Sequence, residues 1–204
     1  MNRQTHRLFF ALLPDPPLVP ALAQVADNIK AMKLIRASWV AASKYHITLH
    51  FLGDFPALPP DIVDRAKAAA SSLRHAPFDF VLGNVASFRG RLQSPCVLRC
   101  ARDSDVALQS FWSELGHTLI EQGLGGNLER RFTPHVTIAY ADKTLPEPIA
   151  IQPIVWTASS FVLVESLVGK SIHNRLQTWP LDPVSAHAGE SAHDNRPVSV
   201  KSRA

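Results

Sequence analysis

A chain that carries the same strand twice has to place both copies, and this one carries YHITLHF at residues 45–51 and PHVTIAY at residues 134–140. Both copies run histidine, aliphatic, threonine, aliphatic. Successive side chains of a strand point to opposite faces, so His46 and Thr48 share one face while Ile47 and Leu49 take the other. His135 and Thr137 stand in the same way against Val136 and Ile138. Each strand thus keeps one face for a core and offers a base and a hydroxyl on the opposite face. Two such strands set side by side about a pseudo-two-fold axis enclose a symmetric cleft.

Two imidazoles flanking a cleft suit in-line displacement at phosphorus, where one group activates the nucleophile and the other protonates the leaving oxygen. Histidine fits both tasks because its pKa of about 6.5 lets both protonation states exist near neutral pH. Threonine hydroxyls donate to non-bridging phosphoryl oxygens without adding charge. This chemistry requires neither metal nor cofactor. His50 follows His46 by four residues, a spacing that aligns zinc ligands on a helix, but the segment is strand-like and lacks the glutamate of His-Glu-x-x-His. His50 is therefore expected to line the cleft or its rim.

Around the motifs, short apolar strands alternate irregularly with helical spacing. RLFFALL (residues 7–13) reads as a buried first strand stopped by prolines. Leu18, Leu22, Val25, Ala26 and Ile29 then predict a helix over 16–32. A short extended piece covers 38–40. Helices are predicted at 59–73 and 104–122, the second with an apolar face of Val106, Leu108, Phe111, Trp112, Leu115 and Leu119. Strands are predicted at 45–52, 78–88, 96–101, 134–140, 151–156, 160–168 and 172–179. That order favours an α+β fold with a mixed sheet over a regular βαβ array.

The 204 residues, 46% hydrophobic, suffice for one well-packed domain, and the net charge of +4 is scattered rather than gathered in a basic tract. Cys96 and Cys100 have no second pair with which to build a metal site and are read as small buried residues of a reduced, cytoplasmic protein. LFFALL is shorter than the about 7 to 15 residues of an export signal. No stretch reaches the roughly 18 apolar residues of a membrane span. Residues 183–204 have almost no large apolar side chain and are expected to be a disordered tail, which sets His187 and His193 aside.

The paired motifs, the N-terminal RLFFALLPD, the SWV before the first motif, the FLG after it and the closing LVESLVGK and LQTWPL resemble the 2H phosphoesterase superfamily. Within it, the chain is most similar to the RNA 2′,3′-cyclic phosphodiesterase (2′-5′ RNA ligase-like) family, over residues 7–182. The resemblance implies a bilobal domain spanning 1–182, with two antiparallel sheets in pseudo-two-fold symmetry around a central cleft and helices on the outside. It also implies hydrolysis of RNA 2′,3′-cyclic phosphate ends to 2′-phosphomonoesters without a metal or nucleotide cofactor, with the reverse 2′-5′ joining also associated with these motifs; the chain is expected to act as a monomer. Carried over by position, His46 is the proton donor, His135 the proton acceptor, and Thr48 and Thr137 hold the phosphate.

Two positions depart from the family pattern. Tyr140 stands where an arginine is often found, and His173 where a tyrosine is common before the Trp-Pro pair. Arg130, Arg131 or Lys170 are candidates to supply the missing cation, Tyr140 itself is a candidate on the substrate side, and Phe51 and Trp39 are candidates for stacking on a base. His6, His75, His117 and His173 are expected on surfaces or helix faces. Two other functions fit the same motifs: a phosphodiesterase for a small cyclic nucleotide or ADP-ribose cyclic phosphate, and a non-catalytic RNA-binding module.

Overall fold

The computed structural model describes residues 4–182 apart from 91 and 171, so the tail expected from residue 183 lies outside the described residues. The first half of the chain runs β1 (His6–Leu12), α1 (Val19–Ala31), β2 (Ala37–Trp39), β3 (Ile47–Phe55) and α2 (Pro60–Ser72). The second half runs β4 (Phe78–Ser87), β5 (Ser94–Cys100), α3 (Val106–Glu121), β6 (His135–Ala141), β7 (Ile149–Ala158), β8 (Ser160–Leu167) and β9 (Ile172–Pro180). Short 3₁₀ turns at Ala42–Lys44 and Gly125–Asn127 stand near the entries to β3 and β6.

All strand pairs are antiparallel, in the order β7-β4-β5-β6-β3-β1-β8-β9. The α+β class holds, the sheet is antiparallel rather than mixed, and the two expected sheets are two four-stranded halves, β9-β8-β1-β3 and β6-β5-β4-β7. They are continuous through one residue pair, Ile47 with Val136. Beyond that pair β3 and β6 part, and β2 takes over the free edge of β6, with Ser38 opposite Tyr140 and Trp39 opposite Ala139. The halves correspond in connection as well as order. Helix α1 leads from β1 back to its neighbour β3, and α3 leads from β5 back to its neighbour β6.

The three helices cover one face of this sheet. Leu22, Val25, Ala26 and Ile29 of α1, Val63, Ala66, Ala69 and Ala70 of α2, and Leu108, Phe111, Leu115 and Leu119 of α3 are buried at helical spacing. They form one core with Leu8, Phe10, Leu12, Ile47, Leu98, Val136 and Trp156 from the strands. Helix α1 begins at Val19 rather than at residue 16, because residues 15–18 close a turn, Leu18 N–H donating to Asp15 O at 2.9 Å, and Pro14, Pro16 and Pro17 have no N–H to contribute. Val106, expected on the apolar face of α3, is instead 70% exposed in the first helical turn. Gly123, with φ of 71°, ends that helix in a conformation costly for any residue with a Cβ.

The opposite face of the sheet carries a small apolar cluster of Phe9, Ala11, Val162 and Val164. No helix among the described residues is long and apolar enough to cross a membrane.

Phe10 is fully buried on β1 against Phe161 and Trp179, at centroid distances of 6.0 and 5.9 Å, and it ties the strand beside the junction to the outer strands. Phe10→Ala is expected to lower unfolding free energy by about 3–5 kcal/mol, as measured by urea denaturation followed by tryptophan fluorescence.

Candidate active site

The two motif strands share an irregularity that sets which side chains reach the open face. On β3, Thr48 lies opposite Ala11 and His50 opposite Phe10, which leaves Leu49 as an extra residue without a partner on β1. On β6, Thr137 lies opposite Val97 and Ala139 opposite Cys96, which leaves Ile138 as the extra residue. A bulge at the same place in both copies inverts the alternation downstream of the threonine. Phe51 and Tyr140, five residues after their histidines, consequently return to the face of His46, Thr48, His135 and Thr137. A second bulge at Leu52, next to Gly53 with its φ of 146°, brings Asp54 to the same face opposite Arg7.

The bulge also corrects the placement of His50. This side chain turns into the helix-covered core, is 2% exposed, and stacks on Trp112 of α3 with ring centroids 5.0 Å apart. Its Nε2–H donates to Trp112 O at 2.8 Å, and Trp112 Nε1–H donates back to Leu49 O at 2.9 Å. Gly116 makes room for the ring, since a Cβ there would stand 3.2 Å from His50 Cε1. His50 therefore links β3 to α3 and has no place in the cleft. Strict alternation put it on the wrong face because the extra residue gives no signal in the sequence.

On the open face, His46, Thr48, Phe51, His135, Thr137 and Tyr140 line one cleft of about 840 Å³, together with Arg7, Phe9, Trp39, Lys44 and residues of the β8–β9 turn. Both catalytic candidates are held in the same way. His46 Nδ1 lies 2.7 Å from Lys44 O, and His135 Nδ1 lies 2.8 Å from Thr133 O, each reaching the carbonyl two residues back. A carbonyl only accepts, so each Nδ1 carries the hydrogen. In the neutral ring Nε2 then keeps its lone pair, and in the protonated ring it holds an acidic proton. His46 is further fixed by stacking on Phe9 at 5.2 Å, and His135 by the edge of Phe88 at 4.9 Å.

Burial pushes both imidazoles below the usual histidine pKa. For His46 the backbone bond to Lys44 opposes that shift, while His173 and His135 add to it. For His135 the bond to Thr133 opposes it and Arg99 adds to it. Both rings are thus neutral in an empty cleft near neutral pH. An entering anion raises their pKa and allows one of them to hold a proton. Among the described residues no three His, Cys, Asp or Glu side chains gather closely enough to hold a metal ion. Burial pushes the thiol pKa of Cys96 and Cys100 up to about 11 and about 12, far from the thiolate a metal or nucleophilic role needs.

Arg130 and Arg131 are exposed on the loop that leads from α3 to β6 and do not line the cleft. That loop starts on the helix-covered side, where Phe132 stacks on Trp112 at 5.3 Å, so its arginines stay outside. Lys170 is exposed in the β8–β9 turn and likewise does not line the cleft. The cations that do line it, Arg7 and Lys44, were not singled out from the sequence. Arg7 is held by both oxygens of Asp54, each at 2.8 Å, with its guanidinium 5.7 Å from the centre of the Phe51 ring. His173, expected on a surface or helix face, also lines the cleft and sets its ring edge to face against His46 at 5.6 Å.

A family model described as the 2′-5′ RNA ligase superfamily matches residues 14–170. The chain belongs to this superfamily. Within the superfamily it is 35% identical over 163 residues to an RNA 2′,3′-cyclic phosphodiesterase of Geobacillus stearothermophilus, covering 78% of this chain and 50% of that protein. It is 30% identical over 137 residues to an RNA 2′,3′-cyclic phosphodiesterase of Thermotoga maritima, covering 64% of this chain and 71% of that one. The chain thus spans about half the length of the Geobacillus relative. The crystal structure of Escherichia coli LigT in apo form superposes with a TM-score of 0.67 at 22% identity, over 88% of this chain and 99% of that one, and so shares the superfamily fold.

The depressed imidazoles give a signed stability prediction. Folded His46, His50, His135 and His173 all have pKa values below the unfolded value of about 6.5, so unfolding takes up protons on the acid side. Their contribution is fully present above about pH 6.5 and is lost as pH falls through that value toward the folded pKa values. Thermal denaturation is expected to give a lower Tm at about pH 5 than at about pH 7.5. A flat Tm across that range would contradict the neutral, buried state of these rings.

Proposed function

We propose that the protein hydrolyses 2′,3′-cyclic phosphate ends of RNA to 2′-phosphomonoesters by acid–base catalysis between His46 and His135. The observation that carries this is the equivalence of the two imidazoles. Each is tethered through Nδ1 to the carbonyl two residues back, each stands two residues from a threonine on the same face, and both line one cleft. The names of the two relatives support the substrate class, and the resemblance of the motifs supports the assignment of roles.

In this mechanism the cyclic phosphate enters as a monoanion between the two histidines, and its charge favours protonation of His46. Thr48 and Thr137 donate their hydroxyl hydrogens to the non-bridging oxygens. His135 Nε2 takes a proton from water as the water oxygen attacks phosphorus. The bond from phosphorus to the 3′ oxygen breaks in line, and His46 gives its proton to that oxygen. The products are a 3′ hydroxyl and a 2′ phosphate, with His46 neutral and His135 protonated. Proton exchange with solvent restores the starting state. Phe51, with Arg7 over its ring, and Tyr140 offer aromatic surface for the nucleoside on either side of the phosphate. We place the protein in the cytoplasm as a monomer, a compartment whose reducing conditions suit its two free thiols, Cys96 and Cys100.

An oligonucleotide ending in a 2′,3′-cyclic phosphate, incubated with the protein in EDTA, is expected to yield a 2′-phosphate end. His46→Ala and His135→Ala are each expected to lower kcat by about 10²- to 10⁴-fold while leaving the circular dichroism spectrum intact. The profile of kcat/KM against pH should be bell-shaped, with its acid limb below the usual histidine pKa, because both rings are depressed in the free enzyme. Activity near that of wild type after either substitution would exclude the two-histidine mechanism.

A further inference from the structure

The β9 strand brings a third imidazole into the cleft. His173 lies opposite Ser166 of β8, which lies opposite Arg7 of β1, which in turn lies opposite Asp54 of β3. This row crosses the open face of the N-terminal half of the sheet beside the row that holds Phe9. From that row the His173 ring leans toward the site already described. Its centroid is 5.6 Å from that of His46 with the planes at 80°, and 6.0 Å from that of Phe9 at 81°. The side chain is exposed to the cleft, and no hydrogen bond from its ring to another protein group is present among the described residues. It therefore touches His46 yet keeps ring nitrogens free for a ligand.

We propose that His173 is a phosphate-binding residue, an imidazole that takes up a proton when a phosphate enters the cleft and then contacts it as a cation beside His46. The charge balance of the cleft gives this role its purpose. Of the fixed cations among the described lining residues, Arg7 has its fork filled by Asp54, while no carboxylate among the described residues pairs with Lys44. The proposed reaction converts a monoanionic diester into a monoester that reaches two negative charges, so the site must hold an anion that gains charge as it forms. Groups of both signs surround the ring. Lys44 and His46 stand on the β3 side, Arg7 lies across the row, and Arg175 lies on the same face of β9, opposite Val164. Asp54, the carboxylate in that row, is already taken by Arg7.

In the empty cleft, burial and the Lys44 ammonium hold the His173 imidazole below its usual pKa, so the ring is uncharged near neutral pH. A bound anion reverses that balance and favours the charged form. A site of this kind grips a dianion more tightly as pH falls and releases it as pH rises. A fixed arginine would hold it equally across the range.

Sulfate is a suitable probe because it stays doubly charged throughout the range in which histidine titrates. Isothermal titration of the full chain with inorganic sulfate at about pH 5.5 and about pH 8 would be compared for wild type, His173→Gln and His173→Tyr. At the acid pH both variants are expected to bind sulfate about tenfold or more weakly than wild type, the size of one charge-assisted hydrogen bond. At the alkaline pH the three proteins should converge. Equal binding at both pH values, or the same loss at both, would overturn the proposal, the second outcome marking a packing role independent of charge. The proposal rests on the phosphodiesterase reading only for the identity of the natural anion. A wild type that fails to open cyclic phosphates but keeps the His173-dependent acid limb of sulfate binding would overturn that reading and leave the phosphate-binding residue standing.

Discussion

Among the described residues, β3 and β6 pair as strand neighbours at Ile47 and Val136, and the geometry of the cleft follows from that pairing. A longer ladder between β3 and β6 would lay the histidines on a closed, continuous surface. A single pair holds the two strands together at the residue after each histidine and lets them diverge from there. The aliphatic face of both motifs is locked into the helix-covered core at that point, where Ile47 and Val136 are both fully buried. The polar face is left to open between the two threonines. The repeated bulge after each threonine then swings Phe51 and Tyr140 onto the same side, so each copy contributes a base, a hydroxyl and an aromatic ring.

Electrostatics in this cleft depend on what it lacks as much as on what it contains. The rings of His46 and His135 are half-buried, each with one nitrogen committed to a backbone carbonyl. They are neutral at rest because burial outweighs that bond. In the proposed reaction the substrate itself brings the charge that makes an acid of one of them. With Arg7 engaged by Asp54, much of the positive potential that would favour a phosphate must come from groups that change state on binding. In this setting His173 against the His46 ring carries more weight than its place on an exposed strand suggests.

Much of this was legible in the chain before any coordinates. Helices and strands fall within a few residues of the periodicities, because their apolar spacing is the same spacing that buries Leu22, Val25 and Ile29 or Leu108, Phe111 and Leu115. The His-x-Thr repeat placed His46, Thr48, His135 and Thr137 on one face because two residues is the period of a strand. The same rule failed for His50, which an extra residue with no compositional signature turned into the core. Arg130 and Arg131 looked near the site because they are near His135 in sequence, but a chain leaving a helix on one side of a sheet reaches the next strand from that side. Arg7 and His173 were missed for the opposite reason, since they are far from both motifs along the chain and meet them only through strand pairing.

The sequence by itself determined the class of fold and the chemical identity of the two halves of the site. Local periodicity and a repeated four-residue pattern are short-range properties that any neighbourhood would preserve. The tertiary structure alone decided the register of β1, β8 and β9 against β3, and with it that His173 enters the cleft, which cation is neutralised by Asp54 and which ring rests on His46. Those are contacts between residues as far apart in the chain as His6 and Leu167, set by hydrogen-bond ladders and bulges that no local pattern encodes.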